Sequence, residues 1–149
     1  MIMELIKVTE NKKQYLDLLL LADEQENMVD RYLERGDMYI LRNGDVKAVA
    51  VITKEEIGVC ELKNLAVRLE CQRQGYGRRM IELLCAQYAG RFHTMLVGTG
   101  DVPKTVRFYE SCGFCRSHLK KSFFTENYDH PIWEDGILLR DMVYLSKKI

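Results

Sequence analysis

Apolar and polar positions along the chain repeat with two different periods, and the switches between the periods mark out its elements. Residues 2–8 alternate with period two and predict a strand. Over residues 12–36 the apolar positions recur at helical spacing, which predicts one or two amphipathic helices closed by Gly36. Residues 37–42 and 46–53 flank Asn43-Gly44-Asp45 and predict a hairpin, because Asn-Gly tolerates positive φ at both central positions. Residues 59–67 predict a third long strand. Residues 76–88 predict a helix with Met80, Leu84 and Tyr88 on one face and Ile81 and Cys85 beside them. A strand over 92–97 follows, then a helix over 103–112 with Pro103 in its first turn and Gly113 as its stop. Strands over 114–124 and 137–145 finish the chain, joined by a polar and aromatic connection over 125–136. The order β-α-α-β-β-β-α-β-α-β-β predicts a mixed sheet in an α/β (α+β mixed) fold.

Length and composition narrow this picture. A chain of 149 residues without repeats or linkers reads as one domain, 1–149. It is 47% hydrophobic and 30% charged, the balance of a globular protein. Its 22 basic and 22 acidic residues cancel, which argues against nucleic acid or a membrane surface as partner. Five cysteines, an odd number lying mostly in apolar stretches, read as reduced thiols. Cys112 and Cys115 form a C-x-x-C without a second pair at zinc spacing. No metal site is expected. No cationic leader precedes an apolar run, and the longest apolar run is too short to span a bilayer, so a cytoplasmic protein is expected.

The chemistry concentrates in Val67 to Met80, where a strand ends, a glycine-containing turn follows and a helix begins. The first N–H groups of a helix have no intrahelical partner, and the helix dipole adds positive charge there. Gly75 and Gly77 lack Cβ, so an anion can approach the main chain; Arg73, Arg78 and Arg79 add charge. The turn therefore reads as a phosphate site, or as a strand–helix turn that merely needs glycine. A dinucleotide fingerprint would need a third glycine where Met80 stands, and a P-loop would need a Gly-Lys-Ser/Thr ending that the chain lacks.

Two motifs in this order resemble the GCN5-related N-acetyltransferase (GNAT) family. Gln72-x-x-Gly75-x-Gly77, five residues after Val67, is similar to its cofactor turn. Phe108-Tyr109-Glu110-x-x-Gly113-Phe114 is similar to its later helix signature. The resemblance covers nearly the whole chain. It implies a central mixed, mostly antiparallel sheet flanked by helices, with the fourth and fifth strands splayed and CoA in the gap. The implied function is an acetyl-CoA-dependent N-acetyltransferase that transfers acetyl to a primary amine by direct attack. A non-catalytic acyl-CoA-binding sensor on the same fold is the alternative.

The resemblance also implies roles. Val67, Gln72, Arg73, Gln74, Gly75, Tyr76, Gly77 and Arg78 would hold acetyl-CoA. Tyr109 would be the general acid, or else a core residue of its helix. Glu61, six residues before Val67, would be the base, or else a carboxylate at a sheet edge. A main-chain N–H near Val67, freed by a bulge, would meet the developing oxyanion. Leu69 replaces a frequent proline, and Val102 replaces a frequent cofactor-contacting asparagine, leaving Asp101 to cap the helix. The 125–136 connection carries four carboxylates, no Lys or Arg, and the single Trp. It reads as a solvated loop, a dimer contact or an acidic lip. As a lip it would offer Tyr128, Asp129, Trp133 and Glu134 to a cationic acceptor, whether small molecule or peptide. A homodimer is compatible with the family.

Overall fold

The computed structural model describes residues 2–149. Seven strands form one sheet in the order β1-β2-β3-β4-β5-β9-β6. They are β1 (Glu4–Val8), β2 (Asp37–Asn43), β3 (Asp45–Glu56), β4 (Val59–Val67), β5 (Thr94–Gly100), β6 (Cys115–Lys120) and β9 (Met142–Lys148). All neighbours are antiparallel except β4 and β5. Successive side chains of a strand point to opposite faces of the sheet, so the apolar run of β2 serves two cores. Tyr39 and Leu41 of β2 face one core, which holds α3 (Tyr76–Tyr88) and α4 (Pro103–Ser111). Met38 and Ile40 face the other core, with α1 (Leu16–Ala22) and α2 (Glu26–Val29). Met80, Ile81, Leu84 and Tyr88 of α3 are buried, as their spacing predicts. No helix among the described residues is long and apolar enough to cross a membrane.

The departures from expectation have physical causes. The 12–36 stretch is broken into a 3₁₀ turn (Lys12–Tyr15), α1, α2 and further turns. Lys12 supports its end by donating to the carbonyls of Leu33 (2.9 Å) and Gly36 (2.8 Å), which side-steps the need for a longer helix. Gly36 closes it because a Cβ there would lie 2.7 Å from Val51 Cγ1. In the first hairpin only Gly44 takes positive φ. Asn43 pairs with Asp45, and a register shift at Leu41/Arg42 absorbs the mismatch.

The C-terminal third differs most. β6 stops at Lys120, and the chain turns at Ser122 into α5 (Phe123–Asn127), carrying Phe124 into a small core with Val102, Ile132 and Leu139. Two-residue strands β7 (Trp133–Glu134) and β8 (Ile137–Leu138) then pair around Asp135-Gly136, both at positive φ. The last strand begins only at Met142 and runs to Lys148. Asp101 does not cap α4, whose N-cap is Val102; its carboxylate lies 3.7 Å from Arg116.

Candidate active site

The site begins where the parallel pair comes apart. β4 and β5 pair from Val59↔Thr94 to Leu62↔Val97 and no further. β4 stays with β3, but Lys63 is an extra residue there, since Val51 pairs with Asn64 and Ile52 with Leu62. That bulge lies at Lys63, four residues before the position the family resemblance implies. β5 instead follows β9, through Gly98↔Tyr144 to Gly100↔Met142. Two strands held by different partners on either side of a bulge must diverge. Arg68 donates its N–H to the Lys47 carbonyl at 2.9 Å, so by antiparallel alternation the N–H groups of Leu65 and Val67 point away from β3 and into the gap.

A cavity of about 700 Å³ opens at the end of β4. It is lined by Val67, Gln72, Arg73, Gly75, Tyr76, Gly77 and Arg78 on one side and by Phe108 and Tyr109 of α4 on the other. Arg73 (φ 63) and Gly75 (φ 87) both take the left-handed conformation, which folds the turn tightly under the start of α3. The first helical bond runs from Arg79 N–H to the Gly75 carbonyl, so the amides of Tyr76, Gly77 and Arg78 are left without intrahelical partners. A Cβ on Gly75 would meet nothing within 4 Å, so the space in front of the turn is open. Side chains brace the loop: Gln72 Nε2 donates to the Val67 carbonyl (3.2 Å), and Asn43 Nδ2 to the Tyr76 hydroxyl (3.1 Å). The Arg78 guanidinium is held at 2.9 Å by the carbonyl and hydroxyl of Ser111. Gln74 does not line the cavity; it reaches back to the Glu70 carbonyl at 3.3 Å. Open amides, a helix N-terminus and nearby arginines fit a pyrophosphate.

A second cavity, about 320 Å³, lies on the other side of the splay, between Leu62–Leu65 of β4 and Val97–Gly100 of β5. Tyr109 lines both cavities and is 9% exposed, with Phe108 and Phe114 edge-on to its ring. Burial, with smaller contributions from Cys112 and Glu134, pushes its hydroxyl well above the usual tyrosine value. It therefore holds its proton at neutral pH.

Glu61 does not reach the second cavity. It is 5% exposed and lines a third, of about 230 Å³, that shares Asp23, Lys63, Gly98, Tyr128 and Met142 with the second. Its carboxylate lies 3.1 Å from Lys63 Nζ and accepts from the Tyr144 hydroxyl at 3.4 Å.

Within the 125–136 segment, Tyr128, Trp133 and Glu134 line the second cavity. Thr105 Oγ1 donates to Glu134. The other carboxylates go elsewhere. Asp129 lies outside these three cavities with its oxygen 2.6 Å from His130 Nδ1, Asp135 lines the first cavity, and Glu126 is exposed on α5. The segment is thus a wall of the second cavity but not a band of negative charge facing it.

The residue that sequence reasoning passed over is Asp23. It lines the second and third cavities and accepts hydroxyl hydrogen bonds from Tyr128 (2.6 Å) and Tyr32 (2.9 Å). Burial raises its pKa, and the two hydroxyls oppose that rise. Tyr32 in turn accepts from Asn64 Nδ2 at 3.1 Å. Asn64, 2% exposed amid the apolar residues of β4, was the available signal: a buried amide in a strand needs partners.

Comparison with known proteins agrees with this geometry. The model of an acetyltransferase (GNAT) domain matches residues 34–116. An uncharacterised N-acetyltransferase, YvbK of Bacillus subtilis (strain 168), is 37% identical over 140 residues, spanning 91% of this chain and 90% of that protein. A GNAT family acetyltransferase from Elizabethkingia anophelis, solved with acetyl-CoA bound, superposes with a TM-score of 0.93 at 29% identity, covering 99% of this chain and 98% of that one. A Bacillus subtilis acetyltransferase in complex with CoA superposes with a TM-score of 0.88 at 34% identity, covering 99% of each chain. Family model and relative agree on the enzyme class, and the family with its neighbours solved with acetyl-CoA or CoA gives acetyl-CoA as the cosubstrate. The chain belongs to the GNAT family of N-acetyltransferases.

Proposed function

We propose that the enzyme transfers acetyl directly to the primary amine of a small molecule or peptide, with Tyr109 as general acid and Glu61 as general base. The observation that carries this reading is the position of Tyr109 on the boundary of two cavities. One of them has the open turn amides that suit a pyrophosphate, and the other offers the acceptor a way in from the opposite side of the splayed strands. Bound acetyl-CoA supplies a thioester whose carbonyl carbon takes the amine and whose sulfur leaves. The Gln72–Arg78 turn orients the pyrophosphate. The amides of Leu65 and Val67 point into the gap, where charge develops on the carbonyl oxygen. Tyr109 gives its proton to the departing sulfur, and its raised pKa keeps that proton available. Glu61 takes the amine's proton through the cavity it shares with the acceptor side.

Direct attack requires both substrates bound together. Initial rates of thiol release at varied acetyl-CoA and amine should therefore give intersecting double-reciprocal lines. Parallel lines, with an acetylated enzyme seen by mass spectrometry, would replace direct attack with a covalent route.

The base assignment has its own test. Glu61→Gln should flatten the rise of kcat/KM with pH. An unchanged profile would move the role to Asp23, which also borders the acceptor cavity.

A further inference from the structure

The two cavities on the acceptor side carry opposite charge. The second, beside Tyr109, presents Asp23, Glu24 and Glu134 against a single cation, Lys63. The third presents four cations, Arg31, Arg35, Lys63 and Lys120, against Asp23 and Glu61. Two of those cations are already neutralised: Arg35 lies 3.1 Å from Glu55, and Lys63 lies 3.1 Å from Glu61. Arg31 and Lys120 join no ion pair among the described residues. Arg31 is positioned by Asn127 Oδ1 at 3.0 Å. The Lys120 ammonium sits over the rings of Tyr144 (5.3 Å) and Phe123 (5.9 Å), both of which line the third cavity. Arg31 and Lys120 thus face one small cavity from different elements outside any ion pair, with Asp23, whose charge Arg31 favours, as the one carboxylate beside them that is not paired to a cation.

Asp23 stands where the two cavities meet. Each of its oxygens accepts one tyrosine hydroxyl, and a carboxylate has about four acceptor sites, so about two are left for a ligand. Gly98 lies at the same junction, where a Cβ would come within 2.6 Å of Met142 Sδ.

We infer that the acceptor is a small bifunctional molecule, with an amine at one end and a carboxylate or phosphate-type anion at the other. Its amine lies beside Asp23, facing Tyr109, and its anion lies between Arg31 and Lys120. This inference rests on the amine-acceptor reading above. It replaces the cationic acceptor suggested by the acidic 125–136 segment, because only Glu134 of that segment's four carboxylates lines the second cavity. An anion bound by Arg31 and Lys120 gains charge-assisted hydrogen bonds that a neutral or cationic tail cannot make.

The test is thiol release from acetyl-CoA with four acceptors of equal chain length: an ω-amino carboxylate, an ω-aminoalkyl phosphonate, a neutral alkylamine and a diamine. At least one anionic acceptor should exceed the neutral amine in kcat/KM by about tenfold or more, mostly through KM, and the diamine should rank last. The better of the two anions identifies the tail. In the double variant Arg31→Gln/Lys120→Gln the ratio of anionic to neutral kcat/KM should fall to about one. In Lys120→Glu alone, a surface change that leaves the core untouched, the diamine should overtake the carboxylate. A wild-type enzyme that prefers the neutral amine or the diamine overturns the inference, as does a double variant that keeps the anionic preference. In both cases the thiol release observed leaves the amine-acetyltransferase reading standing. No thiol release with any of the four amines overturns both.

Discussion

Tyr109→Phe should lower kcat by about 10²–10⁴-fold while leaving the affinity for acetyl-CoA within about twofold. The substitution removes one polar atom from a side chain whose ring is fixed by Phe108 at 5.1 Å and Phe114 at 5.8 Å, so the packing of α4 is retained. What is lost is the hydroxyl proposed as the proton donor, on the boundary between the cavities. A thiolate leaving group needs that proton less than an amine would, which places the effect within the range for general acids rather than beyond it. The pH dependence has a definite sign. Burial raises the hydroxyl pKa above its ordinary value of 10, so the protonated, working form persists through and past that pH. Wild type should show no alkaline loss of kcat from this group below about pH 10. Titration calorimetry with acetyl-CoA and single-turnover rates measure the two halves of the prediction. Equal single-turnover rates in the two proteins would remove Tyr109 from the chemistry.

Gly77→Glu should weaken acetyl-CoA binding by at least about 100-fold, from lost charge-assisted hydrogen bonds and added like-charge repulsion. Gly77 lies in the first turn of α3, where free amides and the helix dipole favour a ligand anion. A Cβ there would lie 3.2 Å from Phe108 Cζ and 3.7 Å from Val67 Cγ2, so a longer side chain is driven away from the core and into the cavity. A carboxylate would then occupy the place proposed for the pyrophosphate and compensate the helix start itself. Gly77→Ala separates the two causes: it adds the contact with Phe108 without the charge, and should cost far less affinity. Calorimetric titration, with circular dichroism to show that each variant is folded, measures this. An unchanged dissociation constant for the glutamate variant would place the cosubstrate elsewhere.

The parts of the molecule legible in the sequence are those fixed by local chemistry. Gln72 to Gly77 could be read because a tight turn into a helix needs residues without Cβ, and Gly75 takes φ 87 there. β2 and β3 could be read because apolar runs, buried between two cores, flank an Asn-Gly turn. The splay could not be read, since the bulge at Lys63 exists only relative to the partner strand β3. Phe123 and Phe124 continued an apparent strand pattern, but they pack into the small core over the site. The β7–β8 hairpin had a readable Asp-Gly turn, yet strands of two residues are too short for alternation to show. Asp23 gave no local signal. Its importance comes from Tyr128, 105 positions away, which donates to it.

The parting of β4 and β5 also bears on solubility. It leaves unsatisfied strand borders in the middle of a sheet, with Leu65 and Val67 offering their amides sideways. Such borders invite a foreign strand, and proteins commonly blunt them with charge, bulges or cover. Here the bulge carries a lysine, Lys63, and α4 and the β7–β8 hairpin bring Thr105, Tyr109 and Glu134 over the opening. The same side chains that would receive two small substrates thus screen the border from another polypeptide, and the enzyme can keep an open seam in its sheet without becoming a template for aggregation.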